Sequence, residues 1–147
     1  MGTSILSGLW LGQYIYGGSY GIGIEGTSID FEMNLRFDGH VITGICIDNE
    51  TKHIYNDPAT IEGVFDNNYI SLIKKYPCYL HSTVDGKLQL VQDKPAIPIH
   101  YTGALRKKGL FFRNFFEGEW EITTSIQDED GNIQYFTGLG NWRMKKH

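Results

Sequence analysis

Residues that would commit this chain to several other fold classes are scarce. Only 2 of its 147 residues are cysteine and 4 are proline. Cys46 and Cys78 both fall in apolar or aromatic runs, and two thiols cannot staple a small secreted scaffold. Reduced thiols and a cytoplasmic location are therefore expected, with a single bridge left open. No stretch approaches 18 consecutive apolar residues, so no membrane span is expected. Residues Met1 to Ser7 lack the basic and apolar segments of a signal peptide, and Leu6 stands where a myristoylation motif needs Ser or Thr. Neither charge sign dominates: 13 Lys and Arg face 17 Asp and Glu, a net charge of −4. That balance argues against the basic face of a nucleic-acid binder. The small basic clusters Lys74-Lys75, Arg106-Lys107-Lys108 and Arg143 to Lys146 read as solvated strand ends and turns. The length suits one domain, residues 1–147, with a full core.

Catalytic and metal-binding motifs are equally sparse. Histidines at 40, 53, 81, 100 and 147 show no ligand spacing, and the cysteines form no Cys-x-x-Cys, so neither a metal nor a cofactor is expected. His81 and His100 lie in strand-like runs and could meet across a sheet, although packed or surface roles suffice for both. Gly18-Ser19-Tyr20-Gly21 is no nucleophile elbow. Gly21-Ile22-Gly23-Ile24-Glu25-Gly26 matches G-x-G-x-x-G, but that motif needs a helix to follow, and a strand pattern follows instead. A calcium loop centred on Gly131 would put Ile126 and Thr137 where carboxylates are required, so Asp128 to Asn132 reads as a hairpin turn. Glu117, Glu119 and Glu121 alternate with Trp120 and point to water. No pair of carboxyls in different surroundings stands out.

What the sequence does hold is 18 glycines beside 20 aromatic residues, and period-2 alternation almost throughout. Ile29, Phe31, Met33, Leu35 and Phe37 share one face, with Asp30, Glu32, Asn34 and Arg36 on the other. Asp38-Gly39 then supplies a tight hairpin turn, followed by a strand over 41–48. Further strands are expected over 9–16, 59–65, 69–76, 78–84, 87–92, 99–105, 115–126 and 134–145. Short strands joined by tight turns form an antiparallel meander, which buries its apolar face and loses its edges by closing. Gly8, Gly12, Gly44, Gly63, Gly103, Gly118, Gly138 and Gly140 fall inside strands, several two residues before a bulky ring, as a tightly curved interior requires. The expected fold is all-β: a single antiparallel up-and-down β-barrel of about 8–10 strands. Gly17 to Gly26 would then be a flap at its mouth.

Gly8-Leu9-Trp10 in the first strand resembles the Gly-x-Trp pattern of the calycin superfamily, which includes lipocalins, fatty-acid-binding proteins and avidins. That resemblance implies a lipocalin-like barrel in which a basic residue of the last strand packs over the tryptophan, making Trp10 and Arg143 the closing pair, with Lys145 second. The chain departs from fatty-acid-binding proteins: residues 17–28 are too glycine-rich for a helical lid, and Arg143-Met144-Lys145 replaces Arg-x-Tyr. Gly8 to Gly12 is also similar to the start of nitrobindin-type haem barrels, whose other motifs are missing. The leading functional expectation is non-catalytic binding of a small apolar or aromatic ligand. Trp10, Tyr14, Tyr20, Trp120, Phe136 and Trp142 would line the barrel interior or mouth. The alternatives are a filled barrel acting as an interaction or structural module, a homodimer included, and an enzyme using His81, His100 or buried tyrosines.

Overall fold

The computed structural model describes residues 6–82, 87–107, 114–127 and 129–147. Ten strands run in chain order: β1 (Gly8–Tyr16), β2 (Ser28–Phe37), β3 (Val41–Asp48), β4 (Ala59–Asp66), β5 (Tyr69–Lys75), β6 (Tyr79–Ser82), β7 (Leu88–Val91), β8 (Ile99–Arg106), β9 (Phe115–Gln127) and β10 (Ile133–Lys146). Alternation dictates their faces. In β2, Phe31, Met33, Leu35 and Phe37 are buried while Asp30, Glu32, Asn34 and Arg36 are exposed. Turn chemistry sets the joints: Gly39 adopts φ 100° between β2 and β3, and the Asp38 carboxylate accepts hydrogen bonds from the His40 and Val41 amides at 2.8 and 2.7 Å. Asn67 and Asn68, both at positive φ, make the equivalent turn between β4 and β5. The Asp85-Gly86 turn and Asp128 lie outside the described residues.

Eight strands close into an antiparallel barrel in the order β1-β10-β9-β8-β5-β4-β3-β2. Closure comes from β1, which pairs with β2 on one side and β10 on the other, Tyr14 opposite Trp142 and Trp10 opposite Lys146. One departure from a simple meander is found. Strands β6 and β7 leave the wall as a separate two-stranded sheet, so β5 pairs directly with β8.

Glycine permits the curvature where two strands nearly touch. Gly103 and Gly118 face each other in register, and a Cβ on Gly118 would collide with the Thr102 carbonyl and the Gly103 backbone. A Cβ on Gly103 would also stand 2.7 Å from the Trp142 ring, which occupies the space the missing side chains leave.

The interior is filled at one end and open at the other. At the filled end Trp10 packs on Phe116 (centroids 5.2 Å apart), Phe116 on Phe65 (5.8 Å), and the Trp10 indole N–H donates to the Leu6 carbonyl at 2.8 Å. Tyr101 and Trp142 form the middle layer, 5.6 Å apart. Above them the strands end in tyrosines and polar groups, and packing gives way to a cavity.

Candidate functional site

The cavity at the open end holds about 250 Å³. This is just below the roughly 300–1,000 Å³ of sites for drug-sized ligands, so it suits a smaller molecule. Strand β1 ends in Tyr14 and Tyr16, which alternation places on the same, inward face, and both rings meet Trp120 of β9, at 6.1 and 5.5 Å and nearly perpendicular to it. Tyr20 arrives from the connection between β1 and β2 and meets Tyr16 edge-on at 4.8 Å. Tyr55 and Tyr76 stack parallel, 5.1 Å apart, on the opposite side, and Ile97, Ile99 and Ile122 add apolar surface to the lining. Residues 17–27 are anchored across the rim. The Gly17 amide donates to the Leu139 carbonyl at 2.8 Å, the Leu139 amide to the Ser19 hydroxyl at 2.9 Å, and the Gly26 amide to the Tyr16 carbonyl at 2.8 Å. A larger hollow of about 760 Å³ lies outside the barrel between Gln13, Asp30, Glu32 and Arg143. It is an open surface trough between charged side chains, with Phe31 the one aromatic residue in its lining, so the ring-walled mouth is the stronger binding candidate.

Beneath the rings sits a buried ion pair. Lys74 Nζ lies 2.9 Å from Asp48 Oδ2, and both side chains have no solvent exposure. Asp48 is saturated: the Tyr76 hydroxyl donates to Oδ2 at 2.6 Å, and the Thr51 amide and hydroxyl donate to Oδ1 at 2.8 and 2.9 Å. The ammonium also lies over the faces of Tyr14 and Tyr76, 5.0 and 4.8 Å from their centroids. At the rim, Glu50 Oε1 accepts from the hydroxyls of Tyr14 (3.1 Å) and Tyr16 (2.6 Å). No buried side-chain polar atom among the described residues lacks a partner.

The electrostatics follow from this wiring. Burial drives the Asp48 carboxyl upward, but the Lys74 charge and the hydrogen bonds from Lys74, Tyr76 and Thr51 outweigh it and hold the group below the usual carboxylate range. Burial opposes the Lys74 charge, yet Tyr101, Cys46, Tyr76 and Asp48 around it raise its pKa well above that of a free lysine. Of these neighbours Asp48 is the one ionised at neutral pH, so it is what keeps the ammonium charged there. Desolvation raises the phenols of Tyr14 and Tyr16, pushes Tyr55 up to about 12, and lifts the Cys46 thiol to about 11.

Of the side chains singled out from sequence, Tyr14, Tyr20 and Trp120 meet at this cavity. Trp10 and Trp142 are buried in the packed layers below it. Phe136 is 38 % exposed beyond the rim, its ring 5.7 Å from Tyr20. Trp10 and Arg143 are not brought together: Arg143 shares the outer face with Lys145 and pairs with Gln13 and Glu117, whereas Lys146 stands across from Trp10. His81 faces Gln89 in the small sheet and His100 faces Ile73 and Glu121 in the barrel, so the two histidines do not meet.

Reading Lys74-Lys75 as a solvated strand end holds for Lys75 and fails for Lys74, which is fully buried. The signal was available in the parity of β5, where Ile70, Leu72 and Lys74 are successive inward positions. In β3 the inward positions Ile42, Gly44 and Cys46 likewise end at Asp48. Tyr76 continues the same parity at the end of the expected strand 69–76, whereas Glu50, Thr51 and Tyr55 had no such signal, because they sit in an irregular segment.

No protein-family model matches the sequence, and no curated protein matches it either. Among solved structures the chain is similar to the crystal structure of rhizavidin, with a TM-score of 0.52 and 11 % identity, over 96 % of this chain and 84 % of that one. At that identity the likeness is one of fold. Together with the closed eight-stranded wall, it fits the calycin-like barrel that the Gly8-Leu9-Trp10 pattern suggested.

Proposed function

We propose that this protein binds a small, flat, apolar or aromatic molecule in the barrel mouth without transforming it. The observation that carries this reading is the cavity of about 250 Å³ walled by Tyr14, Tyr16, Tyr20, Tyr76 and Trp120. Ring faces bury a flat ligand at little cost in side-chain entropy, since each is already held by its neighbours. A non-catalytic role is supported by the polar groups: Asp48 and Lys74 satisfy each other, and the phenols are raised away from neutral pH. Trp120 is a built-in reporter. A panel of small neutral aromatics such as indole, benzimidazole and naphthol should change its fluorescence, and Tyr20→Ala should weaken the response several-fold. Native mass spectrometry of the protein as purified should show a retained small molecule. A panel without effect, combined with a bare mass, would overturn the proposal.

A second reading, self-association, draws on the outer wall. Val41, Ile45 and Ile47 of β3 are 42–45 % exposed, and Val64 of β4 adjoins Val41. Sedimentation equilibrium with a Val41→Lys, Ile45→Lys variant as control tests it, and a monomer at all concentrations would dismiss it. We also propose a reducing, cytoplasmic setting, in keeping with two buried free thiols.

A further inference from the structure

The charge distribution and ring geometry of the mouth point past the neutral rings proposed above to a charged class of ligand, and this step rests on the mouth being a binding site at all. Three ring pairs meet nearly at right angles: Tyr16 with Tyr20 at 87°, Tyr16 with Trp120 at 89°, and Tyr14 with Trp120 at 77°. Adjoining perpendicular rings are the walls of a box that presents π faces to whatever enters it. Both phenols of β1 donate to Glu50, which fixes their rings and leaves their electron density high. The Trp120 indole N–H is already committed to the Ile15 carbonyl at 3.1 Å, so this residue offers a ligand its face, not a donor.

The charges in the lining do not cancel. Lys74 is neutralised by Asp48 and has no exposed surface, so it has nothing to offer an incoming anion. Glu50 also belongs to the lining, and neither the Lys74–Asp48 nor the Arg106–Glu117 ion pair involves it. Lys94, solvent-exposed, is held 4.2 Å over the Tyr79 ring at the other side. With Asp48, which lies behind the lining, counted against Lys74, the mouth therefore carries one formal negative charge beside an aromatic box. Tyr14 already receives one ammonium on a ring face, that of Lys74 at 5.0 Å. Aromatic faces plus a carboxylate form the arrangement that recognises alkylated ammonium groups, through the ring quadrupole and at low desolvation cost.

We propose that the mouth of this barrel is an aromatic cage selective for a small organic cation, a quaternary or methylated ammonium, with Glu50 as its counter-ion and Tyr16, Tyr20 and Trp120 as its walls. The test uses three probes of one shape: choline, its neutral isostere 3,3-dimethylbutan-1-ol, and the anion 3,3-dimethylbutanoate. Each is titrated into the full chain and followed by the NMR signals of the Trp120 indole and the tyrosine rings. Choline should bind about tenfold more tightly than the alcohol, the anion should be weakest, and Glu50→Gln should erase most of choline's advantage while leaving the alcohol unchanged. Glu50 is exposed at the rim, and Gln can still accept from both phenols, so this variant should fold normally. Equal or tighter binding of the alcohol, or a Glu50→Gln variant that discriminates as the parent does, overturns the cation assignment. Failure of all three probes while neutral aromatics still bind overturns the cage and leaves the binding barrel standing. Failure of both sets overturns the binding barrel as well.

Discussion

Lys74→Met should be the most damaging single change in the open half of the barrel, and also the most informative. Methionine matches the length of the lysine stem, so the cavity penalty is small and the loss is electrostatic. What remains is the Asp48 carboxylate, unexposed and stripped of the cation paired with it. Breaking a buried pair in this way costs about 3–5 kcal/mol, of a total stability of about 5–15 kcal/mol for a domain. For about 150 residues, each kcal/mol moves Tm by about 2–4 °C, giving a drop of about 6–20 °C. The sign of the pH dependence should also reverse. In the parent, the folded-state pKa of Asp48 is depressed, so its contribution is present above the unfolded value of about 3.9 and is lost as pH falls through the lower folded value. The raised Lys74 pKa contributes at every pH below the unfolded value of about 10.4 and fades only as pH climbs through the higher folded value. Without Lys74, only the hydrogen bonds from Tyr76 and Thr51 still oppose the upward push of burial on Asp48, so its pKa should rise and the variant should be most stable in mild acid and lose stability as pH rises. Urea denaturation of parent, Lys74→Met and Lys74→Met, Asp48→Asn at pH 5 and pH 8 measures this. The double variant, with no buried charge, an amide oxygen able to accept from Thr51 and an amide nitrogen able to donate to the Tyr76 hydroxyl, should recover about half of the loss or more. A single variant as stable as the parent at both pH values, or a double variant no better than the single, would refute the reasoning.

Three further outcomes follow from the packing. Tyr76→Phe keeps the ring over the ammonium but removes the 2.6 Å hydrogen bond to Asp48, and should cost about 1.5–3 kcal/mol by urea denaturation. Gly118→Ala drives a methyl into the Thr102 carbonyl and the Gly103 backbone, neither of which is a flexible side-chain end. It should destabilise by about 1–3 kcal/mol or prevent soluble expression, whereas Gly26→Ala, with open space around it though strained by its φ of +85°, should be milder. Cys46, buried and raised to about 11, should resist alkylation in the native protein and react at once in denaturant, as mass spectrometry of iodoacetamide-treated samples would show.

Much of the wall was legible because period-2 alternation and turn chemistry are local. The β2–β3 hairpin shows this best: five alternating apolar residues, Asp38-Gly39, then a return strand, all found as read. Several in-strand glycines were legible for a related reason, with a bulky ring two residues on, although the ring that fills the space beside Gly140 is Trp120 of the neighbouring strand, not Trp142. Less legible was the departure of β6 and β7, which alternate much as the wall strands do. Which strand pairs with which is a choice among competing long-range contacts. The candidate site was legible in part. Tyr14, Tyr20 and Trp120 could be nominated as inward or mouth-facing rings, but nothing local separates them from Trp10 and Trp142, which pack as core. Glu50 and Tyr55 come from a polar loop whose path over the rim depends on the barrel it caps.

The sequence by itself determined the strand pattern, the hairpin turns and the curvature, because these depend on neighbours one to four residues away and on whether a Cβ is present. Tertiary structure decided where the barrel stops being filled and what sits at that boundary. Lys74 and Asp48 are 26 residues apart and belong to strands separated in the wall by β4. A lysine beside another lysine at a strand end looks solvated until barrel closure points it inward. A charge survives there because the same closure brings a carboxylate to 2.9 Å and two tyrosine faces to about 5 Å.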